Sequence, residues 1–177
     1  MKYHRTALLL ALCATVSACN MSDTTMANGA VTLKDDLVSL HVKDAPDAII
    51  NAAGDLQVGS KTISLNDAQR GLLMLYYQNV HDVNHTGREM GKIGAKMGGK
   101  ALKNKMEGKS EAQQKQDANA GSQQLQAMSQ KICQDEANIK AVQDQLGTQL
   151  ADFKPYSSIF SQDEIKDCAK DDQDNKN

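Results

Sequence analysis

Three features of the sequence predict an α+β fold that is mostly α. The expected architecture is a small N-terminal antiparallel β-meander packed on a long helical hairpin, with a short disulfide-stapled helix at the C-terminus. Between Val31 and Leu65, apolar and polar residues alternate with period two in short runs. After Asn66 the apolar residues recur at steps of three and four over two long stretches, the spacing of one helix face. The chain of 177 residues also has only two Phe, four Tyr and no Trp. Aromatic rings supply much of the area of a compact core, so their scarcity favours long helices along an aliphatic seam.

The chain opens with Lys2 and Arg5 before an apolar run from Ala7 to Val16, followed by small residues. That run is too short to span a bilayer, and the layout is that of an export signal over residues 1–18. Val16-Ser17-Ala18-Cys19 resembles the bacterial lipobox. The resemblance implies that Cys19 begins the mature chain and carries a diacylglyceryl thioether, with a further acyl chain on its amine. Each buried CH₂ contributes about 0.8 kcal/mol, and two chains anchor stably where one does not. Asn20 stands where lipoproteins of this type often carry an Asp as an inner-membrane retention signal, so transfer to the outer membrane is expected. Residues 19–30 are small, polar and aperiodic, as in a flexible tether that holds the fold off the lipid.

A single domain is expected over residues 31–170. Its meander, residues 31–65, has runs at Leu37–Val42, Ala48–Asn51, Leu56–Val58 and Thr62–Leu65, with Pro46, Gly54-Asp55 and Gly59-Ser60 as turns. So small a sheet must rest one face on the helices of residues 66–170. Asn66 is a good N-cap, and Tyr76, Val80, Val83, Gly87, Met90, Gly94, Met97 and Ala101 lie on one stripe of a helix reaching about Met106. A break is expected near Gly98-Gly99 or Gly108. Residues 110–124 lack an apolar stripe and read either as a helix lead-in or as a disordered connection. Leu125, Met128, Ile132, Ile139, Val142 and Leu146 resume a heptad, with Asp135 at one core position, to about Ala151. Pro155 disfavours helix at Lys154. Ser161 with Glu164 forms a capping box for a last short helix, and residues 171–177 read as a disordered tail.

Cys13 lies in the signal and Cys19 under the lipid, which leaves Cys133 and Cys168. In an oxidising periplasm these two are expected to join, closing a long loop worth about 4 kcal/mol on a chain-entropy estimate. With the signal removed, 18 basic residues face 22 acidic ones, a balance that argues against nucleic acid as a partner.

Gly59-Ser60-Lys61-Thr62-Ile63-Ser64-Leu65-Asn66-Asp67-Ala68-Gln69-Arg70, with Tyr76-Tyr77, resembles the hairpin-to-helix junction of the YggN-like envelope proteins. Phe153-Lys154-Pro155-Tyr156 and the positions of Cys133 and Cys168 are similar to the end of some members, so the likeness covers about half of the chain. It implies an exported location and an architecture, without a reaction.

Residue groups that could carry chemistry have plainer readings beside them. His81, His85 and Glu89 share a helix face at i, i+4 and i+8, a weak candidate for zinc, but they point away from the apolar stripe and read as a polar surface. Gly94–Ala101 is one residue from a P-loop, with Ala101 in place of the Mg²⁺-holding hydroxyl and no strand before it. Gly87, Gly91, Gly94 and Gly98 make a smooth strip against which either another helix of the chain or a binding partner could pack closely. Arg88, Lys92, Lys96 and Lys100 form an i+4 ladder suited to anionic lipid or an acidic protein, or serve as a solvated face. No catalytic triad pattern is present, and neither an enzyme nor a cofactor is expected. The expected function is a lipid-anchored periplasmic protein that binds another protein, such as an immunity or inhibitor lipoprotein capturing a toxin or hydrolase. An envelope structural role that uses the basic stripe on a lipid surface is the alternative.

Overall fold

The structure, a computed structural model, describes residues 23–174. Cys19 and the signal lie outside the described residues. Six strands form one sheet in chain order, β1 (Thr24–Met26), β2 (Val31–Lys34), β3 (Leu37–Leu40), β4 (Ala48–Ile50), β5 (Leu56–Val58) and β6 (Lys61–Thr62), every neighbouring pair antiparallel. The period-two pattern sets the register. Val31 lies opposite Leu40, Leu33 opposite Val38, Leu40 opposite Ala48 and Ile50 opposite Leu56, and all of these are buried on one face. Asp35 and Asp36 turn β2 into β3 with φ of 49° and 58°. Two left-handed residues in a two-residue loop match the twist of the strands they join.

The sheet begins earlier than the sequence suggests. Thr24–Met26 belongs to it rather than to a tether spanning residues 19–30: β1 pairs along β2, Met26 is buried, and Asn84 Nδ2 donates to Thr24 Oγ1. Three residues are too few to display a period, so composition alone reads as linker.

Helix α1 spans Asp67–Met106 and α2 spans Glu111–Gln149. Asn66 Oδ1 accepts from Gln69 N at 2.9 Å while Gln69 Oε1 accepts from Asn66 N at 3.1 Å. This reciprocal cap satisfies two otherwise orphaned donors. Gln69 Nε2 also donates to Gln149 O at 2.9 Å, so the start of α1 is tied to the end of α2. Helix α1 passes unbroken through Gly98-Gly99 and stops at Gly108, whose φ of +65° suits a residue without Cβ. Ser110 then caps α2, and residues 111–124 are helix. Each helix is about 60 Å long at 1.5 Å per residue.

The core lies between the buried sheet face and only one end of this hairpin. Leu73, Tyr76, Tyr77, Val80 and Val83 of α1 and Ile139, Val142 and Leu146 of α2 close over the strands. Both phenylalanines and three of the four tyrosines are in this layer. Phe153 meets the Tyr76 ring edge-on at 6.0 Å and the Tyr156 ring at 5.8 Å, and the Tyr156 hydroxyl donates to Pro46 O. Burial of these two aromatics holds Ala151–Tyr156 as a 3-10 turn through Lys154 and Pro155, where only a helix end was expected. Asp135 does occupy a buried heptad position, with its Oδ2 accepting from Lys131 Nζ at 2.6 Å. Lys131 also reaches Asp82 of α1 at 3.7 Å, and these carboxylates raise its pKa, the Asp135 hydrogen bond foremost.

Behind the 3-10 turn, the fully buried Gln143 holds the chain by its backbone. Its Nε2 donates to Ser157 O at 2.8 Å and to Phe160 O at 3.1 Å, and its Oε1 accepts from Phe160 N at 3.1 Å. Helix α3 (Gln162–Asp174) starts at the expected box, Ser161 Oγ accepting from Glu164 N at 3.2 Å, and it extends into the segment expected to be a tail from residue 171. The Cys133–Cys168 disulfide joins α3 to α2, with Cα atoms 5.7 Å apart.

Replacing Gln143 with Leu is expected to lower unfolding stability by about 3 kcal/mol in a urea titration, because buried backbone groups lose their partners. Reduction with dithiothreitol is expected to speed tryptic cleavage after the exposed Lys166 and Lys170 while leaving cleavage in α1 unchanged, read by mass spectrometry.

Candidate functional site

Past Val83 on α1, and before Ile139 on α2, no apolar side chain is fully buried among the described residues. Met90, Ile93, Met97, Leu125, Met128 and Ile132 are only half-buried, so the two helices leave the sheet and project as an arm over residues 87–130. Charge divides along the same boundary. The arm has eight basic residues against four acidic ones, and the rest of the chain after residue 18 has ten against eighteen.

The ladder residues Lys92, Lys96 and Lys100 line one groove of about 460 Å³ between the helices, with Ile93, Met97 and Gly121. Lys92 Nζ donates to Glu89 Oε1 at 2.6 Å and Lys100 Nζ to Asp117 Oδ1 at 2.7 Å. These bonds hold both carboxyls below their usual range, Glu89 chiefly through Lys92 and Asp117 chiefly through Lys100, then Asn104. Arg88 and Lys96 make no ion pair within 4 Å among the described residues. Near the tip, Asn104 is buried and its Nδ2 donates to Asp117 Oδ2 at 3.0 Å, while its backbone carbonyl accepts from Lys109 N at 3.0 Å. Leu102 and Met106 stand 64% and 82% exposed there.

Among the described residues, nothing packs closely on Gly87, Gly94 or Gly98 of the glycine strip. A Cβ on Gly87, Gly94 or Gly98 would meet nothing within 4 Å beyond its own helix backbone. The close approach within the arm is instead at Gly121, where the Met97 side chain fills the space a Cβ would take. That signal lay in a segment with no apolar stripe, so spacing did not reveal it.

His81 and His85 are exposed as expected. The His81 ring stacks on Tyr77 at 6.0 Å, and its Nε2 lies 4.0 Å from Asp36 Oδ1. Among the described residues, no three His, Cys, Asp or Glu side chains are grouped to hold a metal ion. His41, which carried no expectation, bridges strands and loop: Nδ1 lies 2.9 Å from Asp47 Oδ1 and Nε2 3.3 Å from Thr32 Oγ1.

At the foot of the arm, Asp23, Thr24, Gly87, Arg88, Ile132 and Glu136 line one surface hollow. Glu136 is half-buried, and desolvation, reinforced by Glu164, raises its pKa. No described helix is long and apolar enough to cross a membrane. Comparison with protein-family models, curated proteins and solved structures finds no match to the chain.

A carboxyl whose pKa is raised by folding favours the native state while protonated and opposes it once ionised. Glu136→Gln is therefore expected to raise the urea midpoint at pH 7 and to leave it unchanged at pH 3. Equal midpoints for variant and wild type at pH 7 would contradict the desolvated carboxyl.

Proposed function

We propose that this chain is a lipid-anchored protein of the bacterial outer membrane that binds another protein in the periplasm. In its concrete form it is an immunity or inhibitor lipoprotein that neutralises a periplasm-acting toxin or hydrolase by stoichiometric capture. The export layout and the lipobox-like Val16–Cys19 motivate the location. The division of charge carries the reading of binding. Outside residues 87–130 acidic residues outnumber basic ones, and the turn between β2 and β3, in a hollow it shares with the foot of the arm, offers Asp35 and Asp36 beside Leu37, itself 40% exposed. Such a surface suits a partner whose contact face is basic, since complementary potentials speed encounter and fix register.

Metabolic labelling with a palmitate analogue is expected to mark wild-type protein and to fail with Cys19→Ser. Tagged protein is expected to co-purify with one defined periplasmic protein and to re-form a one-to-one complex from purified components. Asp35→Asn with Asp36→Asn keeps side chains that tolerate the left-handed turn, and should weaken that complex about tenfold. Recovery of the protein alone in every preparation would overturn the capture reading.

A further inference from the structure

We propose that the arm lies along the membrane, its face of Arg88, Lys92, Lys96 and Lys100 against anionic phospholipid headgroups and its tip residues Leu102 and Met106 in the interface. This rests on the proposed acylation of Cys19 and adds a second membrane contact to it.

Two observations lead there independently of each other. The first is the place of β1: its Thr24, with Asp23, shares a hollow with Gly87 and Arg88. Five residue steps from Cys19 to Thr24 span at most about 17 Å when fully extended. An acyl chain on Cys19 therefore holds the foot of the arm close to the bilayer, not at the end of a long tether. Headgroup attraction decays over a Debye length of roughly 8 Å at physiological salt, so this proximity decides whether a basic surface is felt by the lipid.

The second observation is the distribution of charge and apolar surface on the arm itself. Its eight basic and four acidic residues contrast with the acidic remainder, so a negative membrane attracts the arm and repels the rest of the fold. Among the described residues Arg88 and Lys96 make no ion pair within 4 Å, and from Arg88 to Met106 the helix extends about 27 Å along its axis. Leu102 and Met106 are the two most exposed large apolar side chains among the described residues, and they sit at the end of this basic run. Cationic residues leading to exposed apolar ones are the pattern by which a helix settles at the level of the headgroups.

The test uses the chain from residue 19 onward with Cys19→Ser, which keeps every described residue and removes the acyl contribution. It is expected to float with vesicles of equal phosphatidylglycerol and phosphatidylcholine, to stay behind with phosphatidylcholine alone, and to be released as salt rises. Arg88→Gln with Lys96→Gln should lower partitioning about thirtyfold, taking roughly 1 kcal/mol per removed cation. Lys61→Gln with Lys154→Gln, both away from the arm, should leave it unchanged. Circular dichroism should match wild type for both pairs, because neither pair is buried. Absence of binding to anionic vesicles, equal binding to both compositions, or an equal loss from both pairs would overturn the proposal. So would an arm that ignores vesicles but pairs two copies in sedimentation, or that binds only an acidic protein. Palmitate labelling reads the anchor separately: a labelled Cys19 with no vesicle binding removes the arm contact alone, and an unlabelled Cys19 overturns the anchored geometry whatever the vesicles do.

Discussion

Burial of one face of the six-stranded sheet is the constraint from which the other features follow. Strands of two to four residues cannot hold together by ladder bonds alone, and this sheet survives because Val31, Leu33, Val38, Leu40, Ile50 and Leu56 are sealed by Tyr76, Val80, Ile139, Leu146 and Phe153. That closure uses one end of the two long helices. Once their apolar residues are committed there, the remaining length has no sheet to cover and departs as an arm. The division into acidic base and basic arm thus follows a physical boundary, the point past Val83 where the core stops.

The closing layer is fastened by polar devices placed where aliphatic packing is thin. Gln143 anchors the loop before α3 through three backbone bonds, and the Tyr156 hydroxyl reaches Pro46 across the sheet end. The disulfide then fixes α3, which packs the half-buried Ile165 against the core. A few kcal/mol from each such device matters because the net stability of a domain this size is itself only of that order.

Much of this was legible in the residues, and the failures have physical causes. Period two between Pro46, Gly54 and Gly59 located β3, β4 and β5, and the heptad placed Asp135 among core positions, where it is buried beside Lys131. Strand β1 was not legible, since three residues display no period and Thr24–Met26 is held by its hairpin pairing to β2 and by the distant Asn84. Residues 111–124 gave no stripe because little there is buried; Ser110 and good helix formers carry the segment. Among the candidate residues, the Lys92–Glu89 pair was readable from i, i+3 spacing, but Lys100–Asp117 joins residues on opposite helices and requires the hairpin register. The glycine spacing could not by itself separate its two readings: small residues on one face look alike whether the face is covered or, as at Gly87, Gly94 and Gly98, open among the described residues.

Buried Asn104 gives the arm a property that its length alone would not. A pair of helices with a weak aliphatic seam can slip by a turn at little expense, since half-buried Met and Ala fit several alignments. One polar side chain withdrawn from solvent keeps its amide N–H bonded to Asp117 across the interface in this alignment, while its Oδ1 lies buried without a partner among the described residues. The two helices are thereby keyed together, and the projection behaves as a lever of fixed reach whose far end keeps a set distance from the sheet.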